Sequence, residues 1–210
     1  ENGTCDSVQI VTHYGNHVLP IVEMWEQNGT LKISVDIKDP KSIRAMFEKI
    51  GKIDAVASCI GKVAFKPLTE LTYDEYLAGL KDKVMGQVEL VRVGKDFVND
   101  GGSFTLMTGV LARDPIPSGS VASLANGAIE SFTLAAAIEL PRNIRINTVS
   151  PNVLVEATSY HSAFPGFHQV SASDVADAYV KSILGKQNGQ VPIIVLNGRQ
   201  YGHLFSLESS

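Results

Sequence analysis

The sequence predicts an α/β domain, a three-layer, doubly wound parallel sheet with helices on both faces. Short β-rich runs alternate with stretches of helical periodicity, which favours parallel strands joined by helical crossovers. Residues 53–60 are mostly apolar, as in a strand that is buried on both faces. Residues 120–140 have a helical pattern rich in Ala, Ser and Gly, and such small side chains let a neighbouring backbone approach closely.

The first third of the chain is predicted to hold two strands and two helices. The strands are residues 8–12 and 31–37, and the helices are residues 17–28 and 40–50. Apolar residues recur at helical spacing in the first helix, which an Asn-Gly pair ends. Asp39 caps the second helix, Pro40 suits its first position and Gly51 ends it.

The rest of the chain continues the alternation. Strands are predicted at residues 53–60, 103–108, 145–150 and 191–196, and helices at residues 72–99, 120–140 and 173–184. The helix over residues 72–99 is expected in two pieces, a short one at residues 73–80 and a long one from Lys83. Either Ser171 or Ser173 caps the last helix.

Length and composition fit one soluble domain. We expect a single domain over residues 1–210 with flexible ends at residues 1–7 and 200–210. The net charge is -4, so neither nucleic acid nor a membrane is expected as a partner, and no uninterrupted apolar run is long enough to span a bilayer. Cys5 and Cys59 form no disulfide framework, and no His, Cys or carboxylate pair has metal spacing. This cysteine usage favours a reducing, cytoplasmic location.

Three segments resemble the short-chain dehydrogenase/reductase family. They are Asp-Ala-Val-Ala-Ser-Cys-Ile-Gly at residues 54–61, Phe-Thr-Leu-Met-Thr-Gly at residues 104–109, and residues 135–152, where Ile-Arg-Ile-Asn-Thr-Val-Ser-Pro follows an Ala-rich helix. The likeness covers roughly residues 34–196. It implies a Rossmann-like fold with a seven-stranded sheet, NAD or NADP at the carboxyl ends of the strands, and a small-molecule carbonyl or alcohol substrate. It also implies a homodimer or homotetramer built through the helices at residues 83–99 and 120–140.

The resemblance also assigns positions to the cofactor. Asp36 matches an acidic residue that hydrogen-bonds the adenine, residues 58–61 match a segment along the cofactor ribose, and residues 151–152 match a segment beside the nicotinamide. The cofactor-binding candidates are Gly15, Asp36, Ser58, Cys59, Gly61, Pro151 and Asn152.

The N-terminal unit departs from the family. Gly15 is the one glycine in the turn after the first strand, where a dinucleotide fold needs a glycine-rich turn for the pyrophosphate. Tyr14 would crowd that approach, so an ordinary strand-to-helix turn is the alternative. Residues 8–36 leave no room for the additional strand that precedes the acidic residue in the family, so we expect an altered N-terminal βαβ unit.

The catalytic places depart as well. The family uses Asn, Ser, Tyr and Lys, and the resemblance puts Lys83 at the Asn place and Thr108 or Gly109 at the Ser place. The Tyr and Lys places hold Ala122 and Asn126, so the usual phenol that protonates the substrate oxygen is missing.

Four residues are candidates for a replacement mechanism: Lys83, Thr108, Ser123 and Asn126. Lys83 is the candidate ammonium or acid, whereas Thr108 and Ser123 offer hydroxyls. The alternative interpretation is that Lys83 is a solvated helix residue and that both hydroxyls satisfy local backbone groups. Two functions therefore stay open: an NAD(P)-dependent oxidoreductase with a substitute proton donor, or an inactive relative that serves as a nucleotide-binding or protein-assembly module.

Overall fold

The computed structural model describes residues 33–191 and the backbone of two short strands, Val8–Thr12 and Ile193–Ile194. Its parallel sheet consists of β1 Val8–Thr12, β2 Ile53–Cys59, β3 Val98–Met107, β4 Arg145–Pro151 and β5 Ile193–Ile194, in that spatial order. The predicted parallel α/β architecture is therefore confirmed. The described sheet has five strands, whereas the resemblance implies seven.

The helices connect these strands in the expected alternation. They are α1 Pro40–Ile50, α2 Tyr73–Gly79, α3 Gly86–Gly94, α4 Ser120–Glu139 and α5 Ala172–Leu184, and a π-helical turn, Leu80–Met85, joins α2 to α3. Short 3₁₀ turns lie at Val110–Ala112 and Thr158–Ala163.

Side-chain caps fix where the helices begin. The Asp39 side chain accepts a hydrogen bond from the backbone of Lys41, and Pro40 opens α1 as predicted. A reciprocal capping box opens α5, in which Ser171 and Asp174 each accept from the other's backbone N–H. Of the two serines that the sequence offered, Ser171 is the cap.

Two apolar clusters, one on each side of the sheet, make the three layers. One cluster joins α1, α3 and α4 to the sheet through Phe47, Leu90, Ile129, Phe104 and Ile146, among others. The other joins α5 to Ala55, Ala57 and Val149 through Val175 and Tyr179. The sheet is thus covered on both faces, which explains the nearly continuous apolar run of β2.

Helix α4 belongs to this core. Among the described helices it is the one long and apolar enough to cross a membrane when only length and composition are considered, a test that core helices of soluble proteins also pass. Val121, Ala125 and Ile129 are fully buried along it, and the helix packs against β4. Its apolar composition therefore reflects its place in the sheet's covering layer.

Three predicted boundaries are wrong. Residues 33–37 of the strand predicted at 31–37 lie outside any strand: residues 33–36 are irregular and a turn begins at Ile37. The helix predicted to reach residue 99 ends at Gly94, and β3 begins at Val98 rather than at Ser103. The predicted helix at residues 17–28 lies outside the described residues.

Candidate active site

The candidate site lies at the carboxyl ends of β2, β3 and β4. The segments after these strands are residues 60–61, Thr108 with Gly109, and Asn152, and the first turns of α4 lie beside them. In open parallel sheets, ligands bind in the crevice outside the carboxyl ends of the strands. The structure therefore brings most of the residues that the sequence singled out to one edge of the sheet.

Asn126 of α4 contacts the segment that follows β3. Its Nδ2 donates to the Gly109 carbonyl oxygen over 3.3 Å, and a Cβ added at Gly109 would lie 3.3 Å from the same nitrogen. The Asn126 side chain is buried, yet its Oδ1 has no hydrogen-bond partner among the described residues. An unpaired buried acceptor destabilises a protein by about 1–3 kcal/mol unless a ligand or water donates to it.

Ser123 lies one turn before Asn126 on the same side of α4. Its Oγ is likewise buried without a hydrogen-bond partner in the described part of the chain. Helix α4 therefore presents two unsatisfied oxygens near the edge of the sheet. This differs from the expectation that the Ser123 hydroxyl satisfies a local backbone group.

Thr108 is already engaged. Its hydroxyl donates to Glu130 Oε1 over 3.0 Å, and the same carboxylate accepts two hydrogen bonds from Arg113, at 2.9 and 2.6 Å. Arg113 also reaches Ser150 Oγ over 3.4 Å. The Thr108 proton is thus directed to a carboxylate paired with a guanidinium, and this cluster ties the loop after β3 to α4.

Lys83 lies on the π-helical turn and packs against Gly61. The Gly61 φ is 120°, in the region that favours glycine, and a Cβ there would overlap Cγ of Lys83. The lysine stem therefore runs directly along the backbone that follows β2. A wide π-helical turn inside a helix is a common feature of functional sites.

Lys83 is partly buried, and its ammonium has no hydrogen-bond or ion-pair partner within residues 33–191. Burial disfavours its charged form and lowers the pKa of Lys83 from the ordinary 10.5 to about 8. Lys83 therefore lies at the carboxyl edge of the sheet, where burial lowers the pKa of its amine.

Gln87, which the sequence reasoning missed, supports this turn. Its Oε1 accepts from Ser58 Oγ and from the Met107 backbone N–H, at 3.0 and 2.9 Å. Its Nε2 donates to the carbonyl oxygens of Met107 and Lys83, at 2.9 and 3.3 Å. The recorded pairing of β2 with β3 ends at Ala57. Beyond that point the fully buried Gln87 amide replaces β2 as the hydrogen-bond partner of the Met107 backbone.

Ala122, at the expected tyrosine place, is buried among apolar side chains. Its cluster contains Val110, Leu111 and Ile116, with Val63, Phe164 and Phe167 packed against it.

The described tyrosines with recorded partners have them elsewhere. Tyr160 packs on Phe65 with ring centroids 6.1 Å apart. The hydroxyl of Tyr76 pairs with Ser120 Oγ over 2.8 Å, and that of Tyr179 donates to the Ser58 carbonyl oxygen over 2.6 Å. None of these recorded contacts brings a described phenol to Ala122.

The candidate cofactor-binding residues differ in their exposure. Asp36 is exposed, and one of its carboxylate oxygens accepts from the Lys38 backbone N–H over 2.9 Å. The Ser58 side chain is fully buried against Gln87. Burial raises the pKa of Cys59 to about 11, so its thiol stays protonated and acts as a core side chain.

The remaining candidates lie at or beyond the sheet edge. Pro151 is the last residue of β4, and Asn152 follows it with Oδ1 accepting from the Val153 N–H over 2.8 Å. Gly15 lies outside the described residues. Among the described residues, no group of three or more His, Cys, Asp or Glu side chains could hold a metal ion.

Comparisons with known proteins agree with the fold. A family model described as "Enoyl-(Acyl carrier protein) reductase" matches residues 8–191. A crystal structure of the protein lin1944 from Listeria innocua is 41% identical and covers 89% of this chain and 98% of that one, with a TM-score of 0.84. A crystal structure of a small-chain dehydrogenase in complex with NADPH is 24% identical, with a TM-score of 0.72 and coverage of 83% of this chain and 89% of that one, and this likeness shows the fold.

Curated relatives show the same family. The short-chain dehydrogenase/reductase GME11373 from Pestalotiopsis microspora is 30% identical over 154 residues, which are 68% of this chain and 58% of the relative. The matched chain thus spans little more than half the length of the first curated relatives. Because the family model matches most of the chain and the relatives agree, the protein belongs to the short-chain dehydrogenase/reductase family of oxidoreductases.

Proposed function

We propose that the protein is an NAD(P)-dependent oxidoreductase of a small carbonyl or alcohol, in which Lys83 replaces the family's tyrosine as the proton donor. The observation that carries this proposal is the desolvated ammonium of Lys83, which lies beside Gly61 at the carboxyl edge of the sheet and has no partner among the described residues. Titratable groups with strongly shifted pKa values in such crevices are candidates for catalysis.

The residues at the sheet edge fit a nicotinamide dinucleotide. The buried oxygens of Asn126 and Ser123 have no partner among the described residues, and the hydroxyls of a ribose would donate to them. Asp36 keeps an exposed carboxylate, and a related dehydrogenase of known structure is in complex with NADPH. When bound, such a cofactor supplies the hydride that adds to a carbonyl carbon.

Lys83 supplies the proton that the carbonyl oxygen needs when the carbon is reduced. An acid works best when its pKa lies near the working pH, because it is then largely protonated and still gives up its proton readily. A pKa of about 8 meets this condition near neutral pH. Proton donation by a placed side chain contributes about 10²- to 10⁴-fold to the rate of such a step.

The experiment compares Lys83→Met with Lys81→Met, a matched change of an exposed lysine two residues away. Consumption of NADPH and NADH is followed with a panel of small aldehydes and ketones. We expect the Lys83 variant to lose about 10²- to 10⁴-fold in kcat, with NADPH affinity within a few-fold of wild type. A Lys83→Met enzyme that reduces its best carbonyl at the wild-type rate would remove the proposed donor.

The second candidate function is nucleotide binding without turnover. The apolar packing around Ala122 and the Thr108 hydroxyl bound to Glu130 favour it, because neither place offers a free acid. Titration of the protein with NADPH, followed by nicotinamide fluorescence, separates the two. Binding without oxidation of the cofactor across the whole panel supports the second candidate, and absence of binding supports an assembly module.

Self-association is proposed under either function. Helix α4 exposes Leu124, Leu134 and Ile138, the last of them 87% exposed, and helix α2 exposes Tyr73 and Leu77. Large apolar side chains along a helix favour burial against a partner, and a second copy of the chain would supply the same surface. Sedimentation velocity tests this: a dimer or tetramer supports it, and a monomer at micromolar concentration contradicts it.

A further inference from the structure

We propose that Lys83 is also a covalent carbonyl-binding residue, whose amine forms a reversible imine with a small aldehyde or ketone in the crevice. This goes beyond the proposed reduction, because an imine requires neither nicotinamide nor hydride. The ligand class is a small molecule with an unhindered carbonyl group.

The first argument is the placement of the side chain. The Gln87 side chain donates a hydrogen bond to the Lys83 carbonyl oxygen in the π-helical turn, and the lysine stem packs against Gly61. A long flexible side chain is thereby held at the strand end, where a small ligand would lie. An amine that is already positioned loses less freedom when it reacts.

The second argument is the missing partner. No described residue accepts from the Lys83 ammonium, whereas the partly exposed Lys66 pairs with Glu75. Proteins rarely leave a desolvated amine unpaired without a function, because an ion pair or exposure to water would stabilise its charged form. A carbonyl carbon gives this amine a neutral partner.

The third argument is the fraction of amine that is free to react. With the pKa of Lys83 near 8, about a quarter of the amine is neutral at pH 7.5, whereas an ordinary lysine is neutral in about one molecule per thousand. Lysines activated in this way form Schiff bases with carbonyl compounds. The protonated remainder keeps the ammonium available as an acid.

The reaction balances without any redox partner. The lone pair of the neutral Nζ amine attacks the carbonyl carbon, and the C=O π electrons move to oxygen. The nitrogen gives up its two protons while the oxygen takes up two, the carbon–oxygen bond breaks, and the oxygen leaves as water. The product is a carbon–nitrogen double bond to Lys83 that hydrolyses back to the amine and the carbonyl compound. One water molecule is released for each carbonyl bound.

The test traps the imine by chemical reduction. The full-length protein is incubated with butanal and sodium cyanoborohydride at pH 7.5, without nicotinamide, and peptide mass spectrometry locates each added butyl group over time. We expect Lys83 to be alkylated at least about tenfold faster than Lys81, which is exposed on the same helical turn. A Lys83 rate that does not exceed the Lys81 rate would overturn the proposal.

A variant supplies the second readout. Lys83→Arg keeps a positive charge but lacks the amine, so the early adduct should disappear while the slower surface adducts remain. An early adduct of unchanged rate in Lys83→Arg would also overturn the proposal, since another lysine would then carry it. The trapping assay contains no nicotinamide, so it is independent of the reduction assay. A protein that forms the Lys83 adduct but does not reduce carbonyls refutes only the proton-donor role. A protein that reduces carbonyls but forms no Lys83 adduct refutes only the imine.

Discussion

Replacing Lys83 by methionine should stabilise the protein at neutral pH. The pKa of Lys83 falls from 10.5 to about 8 because burial disfavours the ammonium. Below pH 8 the lysine is charged in both the folded and unfolded protein, so folding carries the full desolvation penalty. Between pH 8 and 10.5 the folded protein releases the proton and the unfolded chain keeps it, so the unfolding free energy of the wild type rises with pH.

The size of the effect follows from the shift. A shift of the pKa from 10.5 to about 8 is worth at most about 3–4 kcal/mol, at roughly 1.4 kcal/mol for each pKa unit. The side chain is only half-buried, and solvent reduces this to about 1–3 kcal/mol. Methionine matches the apolar lysine stem in shape and has no charge, so Lys83→Met should gain this amount at pH 7 and lose the advantage by pH 10.5.

Urea unfolding measured from pH 6 to 10.5 tests the prediction. Wild type, Lys83→Met and the exposed-site control Lys81→Met are compared under identical salt conditions. The wild-type and Lys83→Met curves should converge as pH rises, whereas Lys81→Met should stay parallel to wild type. Parallel curves for all three proteins, or a Lys83→Met protein less stable than wild type at pH 7, would refute the claim that the ammonium is desolvated.

Three further substitutions test the surroundings of the site by urea unfolding at pH 7. Gln87→Leu leaves the backbone groups of Met107 unpaired and should destabilise the protein by about 2–4 kcal/mol; a loss under 1 kcal/mol would contradict the bridging role. Glu130→Ala strands the buried hydroxyl of Thr108 and should cost about 1–3 kcal/mol, and an unchanged midpoint would argue against the network. Ala122→Tyr should overpack its apolar cluster and destabilise by about 1–3 kcal/mol; a neutral effect would instead indicate open space there.

Local signals were sufficient for much of the fold. Asp39, Pro40 and Gly51 each act on neighbouring backbone, so the sequence places both ends of α1 correctly. The apolar run of β2 reports burial on both faces and needs no knowledge of its partners. The alternation of apolar and polar residues at 31–37 wrongly predicted a strand, because Ile37 is buried in a turn beside the core.

Elements set by distant contacts were harder to predict. The glycines in the first half of β3 suggest a loop, yet a Cβ at Gly102 would overlap the Asp54 carbonyl oxygen of the neighbouring strand. The π-helical turn has no local signature, and Gln87, which donates to the Lys83 carbonyl oxygen, is itself held by Ser58 and Met107 of the neighbouring strands. Each depends on a partner that the folded chain brings close.

The sequence indicated some residues of the candidate site and missed the contacts that hold them. The resemblance put Asn126 and either Thr108 or Gly109 at catalytic places, and the structure shows a hydrogen bond between Asn126 and Gly109. It did not indicate that Glu130 and Arg113 hold Thr108, because Glu130 lies 22 residues from Thr108 and 17 from Arg113 in the chain, and charged pairs usually lie on solvated surfaces. A buried Gln87 in an otherwise apolar helix face was the one available signal for the amide bridge.

The proton-donor role of Lys83 is tested most directly by the pH dependence of kcat for NADPH-driven carbonyl reduction. If the Lys83 ammonium supplies the proton, kcat should be level below pH 8 and fall about tenfold for each pH unit above it, and this inflection should vanish in Lys83→Met. A wild-type profile that stays level from pH 7 to pH 10, or an inflection retained in Lys83→Met, would contradict the role.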